Sequence, residues 1–315
     1  MWPPFEPGYR KLMASGELGQ RAARAATMLS ECRLCPRDCR ADRAGGKTGF
    51  CRTARLARVS ASFSHHGEER SLSGTKGSGT IFFSGCSLGC VFCQNWETSA
   101  RADGREVSEE ELATDMLELE RRGCHNINLV TPGHVVPQIL EALVIAAGKG
   151  LNLPLVFNTG GYDLPETLRL LDGVVDIYMP DLKFMDASPA RRYCRAADYP
   201  ERAQAAILEM HRQVGPLRFG PDGLARRGLL VRHLVMPGRA NESGEAMRWL
   251  AREVSPDTYV NIMAQYHPAH EVGTTDAKGR RRHKALDKRP TNEEVEGAFR
   301  TARAAGLYRF DVPLY

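Results

Sequence analysis

Apolar runs of four to seven residues recur along the chain from position 80 onward, and stretches with helical periodicity separate them. They are TIFFS (Thr80 to Ser84), INLV (Ile127 to Val130), LPLVFN (Leu153 to Asn158), VVDIYM (Val174 to Met179), LLVRHLV (Leu229 to Val235) and YVNIM (Tyr259 to Met263). A capping box of Ser108 and Glu111 opens a predicted helix that ends near Gly123. Further helices are predicted around Val136 to Ala147, after Pro165, between Pro189 and Val214, from Glu242 to Glu253 and around Glu293 to Ala305. Strands that are apolar throughout, alternate with helices and lack hairpin dipeptides predict parallel βα units. The expected fold class is therefore α/β, closed only in part, as a partial (β/α)6 barrel.

Upstream of the first run the text changes character twice. Residues 1–30 read as a Pro-rich start and an Ala- and Arg-rich helix, Leu18 to Leu29, with little to bury, hence an N-terminal appendage. Residues 31–60 form a second unit, whose CRLCPRDCRADRAGGKTGFC is poor in apolar residues and rich in turn formers. Such a stretch needs a ligand to staple it. Residues 61–315 make up the barrel.

Composition narrows the picture only a little. Of 315 residues, 42% are hydrophobic and 26% charged, which argues against a disordered chain and a coiled coil. The net charge of +5 is too mild to point to nucleic acid. No signal peptide and no membrane span is visible, so a cytoplasmic protein is expected. The cysteines say more: seven of the nine lie between Cys32 and Cys93. In a chain without an export signal this clustering reads as metal binding before disulfides.

Parallel βα folds gather their chemistry at the carboxyl ends of the strands. Those positions hold Cys86, then Thr131 and His134, Asn158 and Thr159, Asp181 and Lys183, and Gln265 to His267. After the first strand, GCSLGCVFCQN sets Cys86, Cys90 and Cys93 at the spacing CxxxCxxC. Three thiolates on a [4Fe-4S] cluster leave one iron with open positions, which an amino acid can chelate through its amino and carboxylate groups. If that amino acid belongs to S-adenosylmethionine (SAM), electron transfer from the cluster can cleave its sulfur to C5′ bond and yield a 5′-deoxyadenosyl radical. Zinc ligands or buried thiols are the competing reading. Phe92 adds an apolar ring that can shield the cluster from water and crowd the adenine side.

The loop GSGTIFFSGCSLGCVFCQN, Gly77 to Asn95, resembles the radical SAM signature, and specifically that of the activating enzymes of pyruvate formate-lyase and their uncharacterised homologues. The resemblance runs from about Cys32 to Asp311. It implies a radical SAM partial barrel, a site-differentiated [4Fe-4S] cluster, SAM, and an electron donor such as flavodoxin or ferredoxin. It also implies a cofactor cradle. The activases carry a Gly- and Glu-rich segment after the second strand; here it reads TPGH, the acidic residue is missing, and the Thr131 hydroxyl with nearby carbonyls could accept from the methionine ammonium. Asn158 and Thr159 of NTGGY match a segment that approaches the methionine moiety. In DLK, Asp181 can accept from the ammonium and Lys183 can pair with the carboxylate. Arg232 falls where an Arg lies near the carboxylate and ribose, and His267 where a His lies near the adenosyl group.

Cys32, Cys35, Cys39 and Cys51 can close a second coordination sphere, as zinc or as another iron-sulfur cluster, and their spacing does not choose between the two. The wider family carries a similar CxLCPRxC segment. Cys124 and Cys194 carry no assigned role. The run Lys278 to Arg289 holds seven Lys or Arg in twelve residues, a solvated loop or a docking surface for an acidic protein or RNA. The leading function is hydrogen abstraction from a protein substrate, as in glycyl radical enzyme activation. Radical SAM modification of RNA or a small metabolite is the alternative, and a noncatalytic metal-binding module the third reading.

Overall fold

The structure is a computed structural model that describes residues 5–311. Among the described residues ten strands form one sheet: β1 (Ala57–His65), β2 (Ser78–Phe83), β3 (Arg105–Val107), β4 (Ile127–Val130), β5 (Leu155–Thr159), β6 (Ile177–Pro180), β7 (Arg218–Phe219), β8 (Ala225–Leu234), β9 (Tyr259–Met263) and β10 (Arg309–Phe310). Their order is β10-β9-β8-β6-β5-β4-β2-β1-β3, with β7 against β8, and the sheet does not close on itself. All six predicted strands are present as β2, β4, β5, β6, β8 and β9, and they pair in parallel. Helices cover the outer face. Outward residues such as Leu129 and Phe157 join Leu140, Leu143 and Met116 in the main core, while Val156, Ile177, Met179 and Leu230 face inward as a second cluster. The Ser108/Glu111 capping box forms as predicted and opens a helix over Glu109–Arg121.

Three features depart from the expectation. The first is an antiparallel extension, β3-β1, paired with β2. The second concerns the N-terminal segment, which does not hang off the domain. Tyr9, Leu18, Ala22 and Ala25 are buried in the main core. Leu18, Ala22 and Ala25 fall at helical spacing on Glu17–Thr27, and the small side chains of Ala22 and Ala25 let that helix lie close against Val136–Gly148. Tyr9 also donates to the Leu153 carbonyl over 2.9 Å.

The third is a stopper in the barrel. The connection from β1 to β2 turns inward at the amino ends of the strands through a short helix, Arg70–Ser73. Its Leu72 inserts among Val156, Ile177, Met179, Leu217, Ala225 and Leu230. Just before it, Glu69 accepts from Asn261 of β9 at 3.0 Å and Glu68 accepts from Asn128 of β4 at 2.7 Å. One loop thus ties the two sides of an open sheet together. No helix among the described residues is long and apolar enough to cross a membrane.

Candidate active site

At the opposite end of the strands, a cavity of about 270 Å³ opens above the sheet. Cys86, Cys90 and Cys93 line it, together with Phe92, Thr131, Asn158, Thr159, Asp181, Lys183 and Arg232. These ten residues come from the first five parallel strand ends, and every one was expected from sequence. His267 stands apart: it is exposed and reaches Gln94, a lining residue, at 3.3 Å, so it occupies the rim.

The cysteine loop is hung on the end of a helix, Ala187–Cys194. Gly89 and Val91 donate their amides to the carbonyls of Cys194 and Tyr193, at 3.1 and 2.9 Å. Cys194 also brings its sulfur within 3.4 Å of that of Cys90. Sequence reasoning assigned Cys194 nothing, because only the fold carries it to the loop. Phe92 is buried edge-on against Phe184 and Tyr266. Burial, with Cys90 adding to it, pushes the Cys86 thiol up, and Lys183 pulls the other way. Contact with Cys194 and then burial push Cys90 up; burial and then Cys90 push Cys93 up. Without metal the three thiols keep their protons, which a metal would displace.

Beneath the thiols lies a ladder of buried charge. Arg232 donates through Nε to Asp181 at 2.8 Å and through Nη2 to Asn158 at 2.7 Å. Its Nη1 faces Glu68 and Glu69 at 3.7 and 3.9 Å. Lys183 closes on the other Asp181 oxygen. Burial alone would raise the Asp181 carboxyl; Arg232 and Lys183 outweigh it and hold it below its ordinary value. Glu68 is likewise held low, because His65 and Arg232 outweigh its burial. Glu69 goes the other way, pushed up to about 8 by burial and by Glu68 beside it against the pull of Arg232. Arg232 is therefore committed to the protein's own acceptors, and its first task is to hold Asp181 and Asn158 in place. Lys183 is the cation nearer the thiols. Lys183→Ala should weaken SAM binding by about 1.5–3 kcal/mol, roughly ten- to a hundredfold, measured by equilibrium titration. Unchanged affinity would remove Lys183 from the cradle.

Thr131 lies in the left-handed region at φ 60°, directly before Pro132, with its amide bonded to the Asn158 carbonyl at 2.8 Å. A larger cavity of about 550 Å³, lined by Glu68, Glu69, Arg70, Asn261, Arg289 and Asp311, shares Arg232, Met263 and Gln265 with the first.

In the N-terminal unit Cys32, Cys35 and Cys51 are buried and Cys39 is exposed. The segment folds back on itself so that the Cys39 sulfur lies 3.9 Å from the Cys32 carbonyl, and burial pushes Cys35 up to about 12 with Cys51, Cys32 and Cys39 adding to it, as neighbouring thiols do. Among the described residues no three His, Cys, Asp or Glu side chains are already set as ligands of one metal ion.

An open parallel α/β barrel with three thiols on the loop after its first parallel strand, facing a polar cradle at the next strand ends, defines a class of SAM-dependent iron-sulfur proteins. The radical SAM superfamily profile matches residues 80–250, more than half of the chain, and the protein belongs to that superfamily. An uncharacterised protein of Methanocaldococcus jannaschii is 28% identical over 290 residues, covering 90% of this chain and 77% of that one. Among solved structures, the radical S-adenosylmethionine methyltransferase TsrM from Kitasatospora setae, with cobalamin and a [4Fe-4S] cluster bound, aligns with a TM-score of 0.46 at 14% identity. That alignment covers 76% of this chain and 53% of TsrM, so the chain spans about half the length of that structure. Membership of the superfamily implies a [4Fe-4S] cluster and SAM. The residues fit both: three soft thiol donors share one cavity with a Lys, an Asp and an Asn that can meet an amino acid's two charged groups.

Proposed function

We propose that the protein is a radical SAM enzyme of the pyruvate formate-lyase activase type, which abstracts hydrogen from a protein substrate and receives its electron from a flavodoxin or ferredoxin. The observation that carries this reading is the shared cavity, which Cys86, Cys90 and Cys93 line together with Asn158, Asp181, Lys183 and Arg232. When bound, the cluster and SAM supply the reductive cleavage that makes the hydrogen-abstracting species. The chain's own side chains bind and orient. The three thiols hold the cluster, Asp181 and the Thr131 hydroxyl accept from the methionine ammonium, and Lys183 meets the carboxylate. Phe92 excludes water from the sulfur side. His267, at the rim, is placed to meet the adenosyl end.

A protein substrate is favoured over RNA by the state of the basic run. Arg280 is paired with Asp276, Arg281 with Asp287, and Arg282 faces Glu271 at 3.5 Å. Three of the seven cations of the run are thus answered by the chain's own carboxylates, which lowers what it offers to phosphates. The larger cavity beside Arg232 offers a substrate a lateral approach at the open edge of the sheet.

Reduced, anaerobically reconstituted protein should convert SAM to 5′-deoxyadenosine and methionine in equal amounts, followed by liquid chromatography. Formation of S-adenosylhomocysteine instead would assign the chain to methyl transfer. Steeply salt-dependent RNA binding would move the substrate to RNA.

A further inference from the structure

The four N-terminal cysteines sit next to the radical SAM loop, and two arginines of their segment hold it on both sides of Cys86, Arg37 directly and Arg43 through His134. Arg37, between Cys35 and Cys39, donates through Nε to the Ser87 carbonyl at 2.7 Å and through Nη1 to the Arg195 carbonyl at 2.8 Å. Its guanidinium lies 3.9 Å from the centre of the Phe50 ring, beside Cys51 in sequence, which fixes its plane. Arg43 is fully buried. It donates to the His134 carbonyl at 2.7 Å and approaches the Cys32 sulfur at 3.6 Å. The His134 ring in turn reaches the Ser84 carbonyl at 3.0 Å. Between these two struts the Cys51 carbonyl packs against Gly85, at φ 84°, so closely that no β-carbon fits. Ser84, Gly85 and Ser87 are thereby all held by the cysteine segment, with Cys86 in their midst.

Residues 31–52 have little apolar mass of their own; Leu34 packs with Leu29 and Cys32 in a cluster of three. The struts are only as rigid as the segment that carries them, and four neighbouring thiols are the means to make it rigid. We propose that Cys32, Cys35, Cys39 and Cys51 bind a thiolate-held metal centre that acts as a brace, keeping Cys86 in ligating position through the positioning residues Arg37 and Arg43. The radical SAM cluster is then retained only while the brace is loaded. This goes beyond a second centre that stands alone or docks a partner, and it rests on the reading of Cys86, Cys90 and Cys93 as the cluster ligands.

Arg37 gives the cleanest test, since its side chain is partly exposed while Arg43 is fully buried. In reconstituted protein the SAM-responsive electron paramagnetic resonance signal should decay under EDTA about tenfold faster in Arg37→Ala than in the wild type. Arg37→Lys, which keeps one donor, should fall between them. A Cys35→Ser, Cys39→Ser variant should lose one metal centre by elemental analysis and show the same acceleration, with no further effect of adding Arg37→Ala. Decay within twofold of wild type in Arg37→Ala and in the cysteine pair overturns the brace, as does unchanged metal content in the pair. A second measurement does not need the cluster. In protein stripped of metal, alkylation of Cys86 read by mass spectrometry should slow on adding zinc alone, and should not slow in Arg37→Ala. Equal rates with and without zinc in the wild type also overturn the brace. A wild type with no SAM-responsive signal would instead sink the proposed function, while the alkylation rates still decide the brace.

Discussion

A variant carrying Cys86→Ala, Cys90→Ala and Cys93→Ala should lose the SAM-responsive paramagnetic signal completely, and with it all SAM cleavage. The three thiols share one cavity, and removing them deletes every thiol that lines it. Cys194 does not replace them: it is fully buried behind the loop and does not line the cavity. The iron or zinc that remains should equal one centre, held by Cys32, Cys35, Cys39 and Cys51. A triple variant that keeps the signal would show the cluster to be elsewhere.

The second large effect is expected from Arg232→Ala, and it is an effect on folding as well as on the cofactor. Arg232 faces three carboxyl groups and the Asn158 amide in a buried setting. Removing it leaves Asp181 and Glu68 as buried anions with Lys183 and His65 as their remaining counter-charges. Breaking such an arrangement costs about 3–5 kcal/mol. Denaturant unfolding of Arg232→Ala should show a loss of that order, and SAM binding should fall below detection because Asp181 and Asn158 lose their anchor. A variant with less than about 1 kcal/mol of lost stability would mean that the charges repack around water.

The parallel strands were readable because strands covered on both faces by other elements become continuous apolar text, as in INLV and VVDIYM. The cysteine loop and the polar residues after each strand followed from that, since a strand end fixes where its next residue can point. β1 was missed for the same reason in reverse: ARVSASFSH is a half-exposed outer strand, and its serines make it look like a loop. Glu68 and Glu69 were missed because GEER resembles a solvated charge run, and its partner Arg232 lies more than 160 positions away in sequence. Nothing local marks a pairing across that distance. The core role of Ala22 and Ala25 was hidden by composition, because alanine serves equally on a helix surface and in a close helix contact. Cys194 had a similar fate: one cysteine at a helix end carries no signal until the loop it touches is known.

Thr131 brings stability and use into conflict. A branched residue in the left-handed region is strained by about 1–3 kcal/mol, and a following proline restricts it further. Glycine would relieve that strain without disturbing the amide bond to Asn158. The relaxed chain would also lack the Thr131 hydroxyl, the one hydroxyl that this strand end brings to the lining of the cavity. Any search for a hardier version of this protein, by laboratory selection or by growth at higher temperature, would reach this position early, and would return variants that endure heat better and hold their cofactor worse.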